Sequence, residues 1–138
     1  MKGASGTAVK TQVNPWTWQD RLGFSQAWKV EGAATLVFVS GQVAMSADGQ
    51  VVGAEPADFE AQARKVLENL KTVLDRSGAS LQDIVKITVY LTDMSKLRDW
   101  GRIKAEYIRG EQPASTAVGV TALALPGLMV EVEATAVV

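Results

Sequence analysis

The chain has 138 residues, of which 47% are hydrophobic and 21% charged, and 14 basic against 15 acidic side chains give a formal net charge of −1. This composition is typical of one globular domain with a sizeable core, and it lacks the basic excess of proteins that bind nucleic acid or anionic membranes. No apolar stretch approaches the roughly 20 residues that span a bilayer. We therefore expect a cytoplasmic protein that contacts neither nucleic acid nor membrane.

The sequence contains neither cysteine nor histidine. Their absence excludes disulfides, zinc-thiolate sites, the Ser-His-Asp triad and most transition-metal ligation. No Gly-rich phosphate loop follows a predicted strand, so we expect neither a metal nor a cofactor. Any catalysis must use carboxylates, hydroxyls, lysine, arginine, tyrosine or backbone amides.

The N-terminal residues 1–13 are rich in Gly, Ser, Thr and Lys and show no periodicity. They predict a disordered lead, with a single domain over residues 14–138. Trp16 and Trp18 then lie around a turn that begins with proline. These tryptophans either cover a core edge or a subunit contact, or one of them forms the wall of a ligand cleft.

Short β-rich runs at residues 24–30, 35–40 and 43–45 predict an antiparallel meander. Gly41 lies inside strand-like sequence, which indicates a bulge or the close approach of another backbone. Asp48-Gly49 is a typical turn pair.

The hydrophobic period changes to 3.6 residues after Pro56 and predicts an amphipathic helix that starts near Asp58 and stops at Gly78. A strand is predicted over residues 84–92, and a second helix opens at Met94 and ends before Pro113. One side of this second helix carries Leu97, Trp100, Ile103, Lys104 and Tyr107.

Two more strands are predicted at residues 117–121 and 128–138. In the last one, apolar residues from Val130 to Ala136 alternate with Glu131 and Glu133. The order β-β-β-α-β-α-β-β predicts an α+β fold in which two helices pack on one face of a mixed sheet. The other face has no cover from this chain, so an oligomer is expected.

Several motifs, in this order along the chain, resemble the RidA/YjgF/YER057c/UK114 family. They are Phe24-Ser25-Gln26-Ala27, Val39-Ser40-Gly41-Gln42, Ala61-Gln62-Ala63, Val85-Lys86-Ile87-Thr88-Val89-Tyr90-Leu91-Thr92-Asp93, Pro113-Ala114-Ser115-Thr116 and Val130-Glu131-Val132-Glu133-Ala134. The resemblance implies a chorismate-mutase-like subunit and a homotrimer with a small-molecule cleft between neighbouring subunits. It also implies the cofactor-free hydrolysis of reactive enamines and imines to carbonyl compounds and ammonia.

The resemblance assigns roles to particular residues. Glu131 matches a glutamate that positions or activates water, and Ser40 and Gly41 match a Ser-Gly-Gln stretch of the pocket. Phe24 occupies the position of a tyrosine but has no hydroxyl. Ser115 occupies the position of an arginine that binds the substrate carboxylate through two hydrogen bonds.

These departures weaken the expected carboxylate site. A serine hydroxyl contributes about 0.5–1.5 kcal/mol through a neutral hydrogen bond, and a charge-assisted pair contributes roughly twice as much. Gly101 likewise replaces an asparagine that many active members carry. Arg102 and Arg109 lie nearby in sequence, but arginines of helices and loops are usually solvated, so neither is assigned a role.

Two hypotheses follow. The first is a hydrolase or deaminase in which Glu131 orients or deprotonates a water that attacks the C=N carbon, while Ser115, Thr116 and the Gly41 amide hold the substrate and Phe24 supplies an apolar wall. The second is a non-catalytic trimer that binds a small metabolite in the same clefts, or a chaperone-like module. Ribonuclease activity fits poorly with a nearly neutral chain that lacks histidine.

Overall fold

A computed structural model describes residues 8–32 and 34–138, which form six strands and two α-helices. In chain order these are β1 (Val9–Val13), β2 (Ala27–Glu31), β3 (Leu36–Val43), α1 (Phe59–Arg76), β4 (Ile84–Leu91), α2 (Leu97–Tyr107), β5 (Ala114–Gly119) and β6 (Val130–Val137). Short 3₁₀ turns precede β2, β4 and α2. None of the described helices is both long and apolar enough to cross a bilayer.

The main sheet has four strands in the order β3-β6-β4-β5. β6 pairs antiparallel with both β3 and β4, and β4 pairs in parallel with β5. The parallel pair is possible because α2 forms the crossover between β4 and β5. This mixed sheet with two helices on one face confirms the predicted α+β class.

Helix α1 follows the predicted 3.6-residue pattern. The Asp58 side chain caps its N-terminus by accepting a hydrogen bond from the Ala61 amide at 3.0 Å. Gly78, with φ of 78°, lies just beyond its C-terminus, as predicted. The residues that α1 buries against the sheet are Phe59, Gln62, Ala63, Val66, Leu67, Leu70 and Leu74.

The two central strands separate an apolar side from an open side. On β6, Val130, Val132 and Ala134 are buried beneath the helices, as the alternating pattern predicted. Glu131 and Glu133 lie on the opposite side, which no described element of this chain covers. Phe38 of β3 pairs with Thr135 on that open face and is 76% exposed.

The prediction of a disordered lead through Val13 was wrong for β1, because Val9–Val13 pairs antiparallel with β2. Side-chain contacts anchor this two-stranded sheet, since Lys10 donates to the Val137 carbonyl at 3.0 Å and Gln12 donates to the Ser25 hydroxyl at 2.6 Å. A polar strand of this kind shows no hydrophobic period, and its partner is distant in sequence. Residues 1–7 lie outside the described part of the chain.

The predicted meander was also wrong, because β2 and β3 belong to different sheets. The runs predicted at 35–40 and 43–45 form the single strand β3, whose register against β6 shifts between Val39 and Gln42. That shift confirms the bulge predicted at Gly41. The turn at Asp48-Gly49 is also confirmed, because the Gly49 amide donates to the Ser46 carbonyl at 2.9 Å.

Gln62 attaches α1 to the chain that leads into β6. Its side chain is fully buried, donates to the Gly127 carbonyl at 2.8 Å and accepts from the Met129 amide at 2.8 Å. We expect Gln62→Met to lower the free energy of unfolding by about 1–3 kcal/mol, because it leaves both backbone groups without partners. Glu68→Met, on the exposed side of the same helix, is the matched control and should change it far less. Urea unfolding of both variants measures the difference, and equal effects would contradict the proposed anchor.

Candidate functional site

An open cavity of about 890 Å³ lies between α2, the edge of the main sheet and the segment that precedes β2. Its apolar lining includes Phe24, Val89 and Trp100. Ser115 also lines the cavity, because it pairs in register with buried Ile87 and therefore faces the helix side of the sheet. The cavity thus combines apolar walls with a few polar groups, which is typical of a small-molecule site.

The wall that carries Phe24 is attached to the start of β5. The Ser25 amide donates to the Pro113 carbonyl at 3.0 Å, and the Ser25 hydroxyl donates to the Gln112 carbonyl. The Trp28 indole donates to the same Gln112 carbonyl at 2.9 Å. These contacts place Phe24 beside the strand that holds Ser115.

A buried cation lies in the same cavity. Lys104 of α2 is only 5% exposed, and its ammonium donates to the Gly23 carbonyl at 2.9 Å. Burial lowers the pKa of Lys104 to about 8, since the charged form loses hydration. Arg21, Arg98 and Arg102 also line the cavity, against the single carboxylate of Asp20. The cavity therefore has an excess of positive charge.

The carboxylate of Glu131 lies on the other side of the sheet, against the bulge of β3. A Cβ added at Gly41 would lie 2.7 Å from the Glu131 Cδ and 3.0 Å from its Cγ, so only glycine fits there without movement. The bulge bends β3 at Ser40 and Gly41 and brings the backbone directly onto this side chain. The close approach predicted at Gly41 is therefore with a side chain rather than a backbone.

Two polar pairs also lie on the open face. The Tyr90 hydroxyl donates to the Glu133 carboxylate, and this hydrogen bond raises the pKa of Tyr90. Lys86 donates to the Thr116 hydroxyl at 2.9 Å. Desolvation lowers the pKa of Lys86, although the charge of Glu133 opposes the shift.

Within one chain, the predicted site residues fall into separate places. Ser115 and Phe24 line the cavity, whereas Thr116 lies on the open face of the same edge strand. Glu131 and Gly41 lie on the open face beside the opposite edge strand, β3. Glu131 itself belongs to β6, which lies two strand spacings, or roughly 10 Å, from β5, and its side chain is on the opposite face of the sheet from Ser115. The structure of a single chain therefore does not bring Ser115 and Glu131 together.

The N-terminal tryptophans extend the cavity wall outward. Trp16 stacks on Trp18 with ring centroids 6.2 Å apart, and Trp18 contacts Phe24 edge-on at 5.9 Å. Both tryptophans are about half exposed. Among the described residues, no group of three or more histidine, cysteine, aspartate or glutamate side chains is placed to hold a metal ion.

Lys104 and Gln112 are cavity residues to which the sequence reasoning gave no role. Gln112 lines the cavity, and its side-chain Oε1 is buried with no hydrogen-bond partner in the described structure. The sequence held one signal for Lys104, because a lysine on the apolar side of α2, four residues after Trp100, must be buried with it. Nothing in the local sequence marked Gln112.

The fold and this cavity define a chorismate-mutase-like α+β protein. Residues 19–138 match the protein family described as Endoribonuclease L-PSP. The chain therefore belongs to this family, whose relatives carry the names Rid, RutC and YjgF/YER057c/UK114. Membership supports a role in processing a small molecule.

Individual relatives cover most of the chain. A RutC family protein of Pyrococcus abyssi is 37% identical over 114 residues, which are 82% of this chain and 84% of that protein. The crystal structure of YyfB, a Rid family protein of unknown function from Yersinia pestis, has a TM-score of 0.81 and 37% identity over 94% of this chain and 98% of its own. Rv2704 of Mycobacterium tuberculosis has a TM-score of 0.64 and 34% identity over 94% of this chain and 100% of its own.

We expect Gly41→Ala to destabilise the protein by about 0.5 kcal/mol, because the new methyl group would overlap only the end of the Glu131 side chain, a flexible group that can swing away on the open face. The double variant Gly41→Ala/Glu131→Ala should recover most of this loss, since it removes the overlapping atoms. Gly101→Ala is the control, because a Cβ there meets nothing within 4 Å, and it should raise stability by up to about 1 kcal/mol within α2. Urea unfolding of the full double-mutant cycle measures the coupling, and additive effects of the two changes would show that the contact is absent.

Proposed function

We propose that this protein is a cofactor-free hydrolase of a small enamine or imine, in a cleft between neighbouring chains of a homotrimer. The observation that carries the proposal is the Glu131 carboxylate, which lies on an open sheet face against a glycine that leaves its head group room. Family membership supports a role in processing a small molecule. The carboxylate is the general base, and the cavity around Ser115 receives the substrate.

The two faces of the sheet support this subunit arrangement. Ser115 faces the helix side and Glu131 faces the open side, so one chain does not offer both to one substrate. The open face also exposes Leu36 and Phe38, which are large apolar side chains suited to burial against a second copy. In the proposed trimer, the cavity of one chain lies beside the open face of its neighbour.

The proposed reaction adds water across the C=N bond. Glu131 takes a proton from water as the oxygen attacks the C=N carbon and returns it to the nitrogen, which gives an amino alcohol. The hydroxyl proton then passes through Glu131 to the amine, the C–N bond breaks, and ammonia and the carbonyl compound leave. Ser115 and the Gly41 amide hold the polar end of the substrate, and Phe24 supplies an apolar wall. Ser40 shapes the bulge that carries this amide, and Thr116, which already accepts from Lys86, completes the polar edge of the cleft.

A second candidate is a binding protein without turnover. It is favoured by the aromatic cluster at the cavity mouth, where Trp16 stacks on Trp18, Trp18 contacts Phe24, and Phe24 contributes no hydroxyl. In that case, the cleft would hold a small amphipathic metabolite. A ligand that raises the melting temperature saturably and is never converted would favour this candidate.

We expect Glu131→Gln to abolish imine hydrolysis while the fold is retained, because the amide cannot accept a proton from water at neutral pH. An amino-acid oxidase supplies imines in the assay, and faster loss of semicarbazone formation reports their hydrolysis. Both carboxylate-bearing and neutral imines should be offered. The control is Glu133→Gln, whose remaining carbonyl still accepts from Tyr90, and it should keep the activity.

The controls separate a catalytic defect from misfolding. Circular dichroism should show the same spectrum and melting curve for Glu131→Gln and the parent. If the parent accelerates hydrolysis of none of the imines over buffer, the hydrolase proposal fails and the binding candidate replaces it. If Glu131→Gln retains full activity, the reaction does not depend on this carboxylate.

The proposed trimer gives a separate prediction. Light scattering should report three times the 14.7 kDa mass of one chain. Phe38→Lys should shift the protein toward monomer, because it places a charge in the proposed interface. Val73→Lys changes an exposed apolar residue on α1 and should leave the mass unchanged. A monomeric parent, or an unaltered mass for Phe38→Lys, would contradict the interface.

A further inference from the structure

Lys104 connects two walls of the cavity. It lies on α2, four residues after the buried Trp100, and its ammonium donates to the Gly23 carbonyl at 2.9 Å on the segment that precedes β2. The two residues are 81 positions apart in the chain, and both line the cavity. This hydrogen bond therefore joins the helix wall directly to the N-terminal wall.

The N-terminal wall has few other attachments. From Pro15 to Leu22, every residue except Gln19 is exposed. Gln19 stabilises the segment from within, because its amide donates to the Trp16 carbonyl at 2.8 Å, and its Oε1 accepts from Gln26 at 3.2 Å. Within residues 8–32 and 34–138, the one hydrogen bond that joins this segment to a helix is the bond from Lys104.

Phe24, which lines the cavity, is held from both sides along the chain. After it, the Ser25 amide donates at 3.0 Å to the carbonyl of the residue that precedes β5. Before it, the Gly23 carbonyl accepts from Lys104. Without this second contact, Phe24 and the preceding Leu22, which also lines the cavity, would be attached to the fold from one side only.

Packing alone does not account for an ammonium group at this position. Lys104 is buried on α2 together with Trp100 and Ile103, where an apolar side chain would avoid the cost of removing a charge from water. That cost is visible in the pKa of Lys104, which burial lowers to about 8. The Gly23 carbonyl ends a 3₁₀ turn, and lysine commonly binds the free carbonyls of helical ends. A charged donor is also stronger than a neutral one, so the ammonium is suited to hold this turn.

We propose that Lys104 is a positioning residue of the cavity, whose ammonium holds the Gly23 turn and thereby keeps Leu22 and Phe24 against the bound small molecule. It acts through the wall and not on the reacting atoms. The wall supplies apolar contact, so its position matters most for substrates with a large apolar side chain. The inference rests on the proposed function for the reaction that is measured, whereas the position of the wall requires no turnover.

The tryptophans of the chain report the position of the wall without any substrate. Trp18 contacts Phe24 edge-on at 5.9 Å, so its indole NMR signal depends on where the Phe24 ring lies. The Trp28 indole donates to the Gln112 carbonyl instead and is the internal reference. In Lys104→Met, we expect the Trp18 signal to shift and its heteronuclear NOE to fall, while Trp28 keeps both values.

Two results would overturn the proposal. One is a Trp18 signal and NOE that do not change in Lys104→Met. The other is an equal loss of NOE at Trp18 and Trp28, which would indicate general loosening rather than release of one wall. Lys71→Met, at an exposed position of α1, is the matched control and should leave both indoles unchanged.

Chemical rescue separates the ammonium from the rest of the side chain. The chain has no cysteine, so Lys104→Cys offers a single thiol that can be alkylated in urea before refolding. Bromoethylamine rebuilds a side chain of lysine length with its ammonium, and bromoethane adds the same two carbons without the nitrogen. The aminoethyl form should restore the Trp18 signal of the parent, and the ethyl form should not. Identical Trp18 spectra of the two forms would overturn the role of the ammonium, even if Lys104→Met fails to fold.

The kinetic test uses imines that an amino-acid oxidase supplies from leucine and from alanine. In Lys104→Met, KM for the leucine-derived imine should rise about fourfold, the loss expected for roughly one methylene group of apolar contact. Its kcat should stay within about twofold, because the general base is untouched. KM for the alanine-derived imine should change less, since a methyl group offers little contact. A fall in kcat at constant KM for both imines would contradict a positioning role.

The outcomes also separate this inference from the proposed reaction. A Trp18 response that depends on the ammonium, without hydrolysis of any imine, would support the positioning role and reject the hydrolase. Imine hydrolysis by the parent, with a Trp18 signal that does not respond to Lys104→Met, would support the hydrolase and reject the positioning role.

Discussion

The structure depends on the strict alternation of side chains in the central pair β4 and β6. Their apolar residues meet two helices on one side of the sheet, and their polar residues are left on the other. A strand has only two faces, so each residue of β6 either supports the core or is available for recognition. The backbone at Glu131 is fixed because its neighbours Val130 and Val132 are fully buried. The same alternation requires the binding residues of β5, Ser115 and Thr116, to point in opposite directions.

Acidic and basic side chains are also divided between the two sides of the sheet. The acidic side chains of β6 lie on the open face, and the basic side chains of α2 gather around the cavity. Packing one chain's cavity against a neighbour's open face would therefore bring opposite charges together. Ser115, where the resemblance led us to expect an arginine, lines the cavity that contains Lys104. A positive charge is thus retained in this cavity, although it comes from the helix rather than the strand.

Features with a strong local period could be predicted from the sequence. The 3.6-residue pattern gave α1 with its cap at Asp58, and the alternation gave the two faces of β6. Pairing partners could not be predicted, because β1 and β2 carry no information about which distant strand completes their hydrogen bonds. The start of β5 was predicted three residues too late, because Ala114-Ser115-Thr116 resembles a turn. In the fold, these residues form a strand because their backbone pairs with β4.

The cavity wall that carries Phe24 is attached to β5 in a way that affects which substitutions the protein can tolerate. Three hydrogen bonds from Ser25 and Trp28 to the backbone at Gln112 and Pro113 hold this wall, and the segment from Pro15 to Gly23 adds only Gln19 to the buried residues of the fold. Backbone acceptors are available whatever side chains the partner strand carries. Substitutions along the wall can thus reshape the cavity while the sheet and helices keep their stability. The N-terminal segment is the part of the fold in which ligand preference can diverge at least cost to folding.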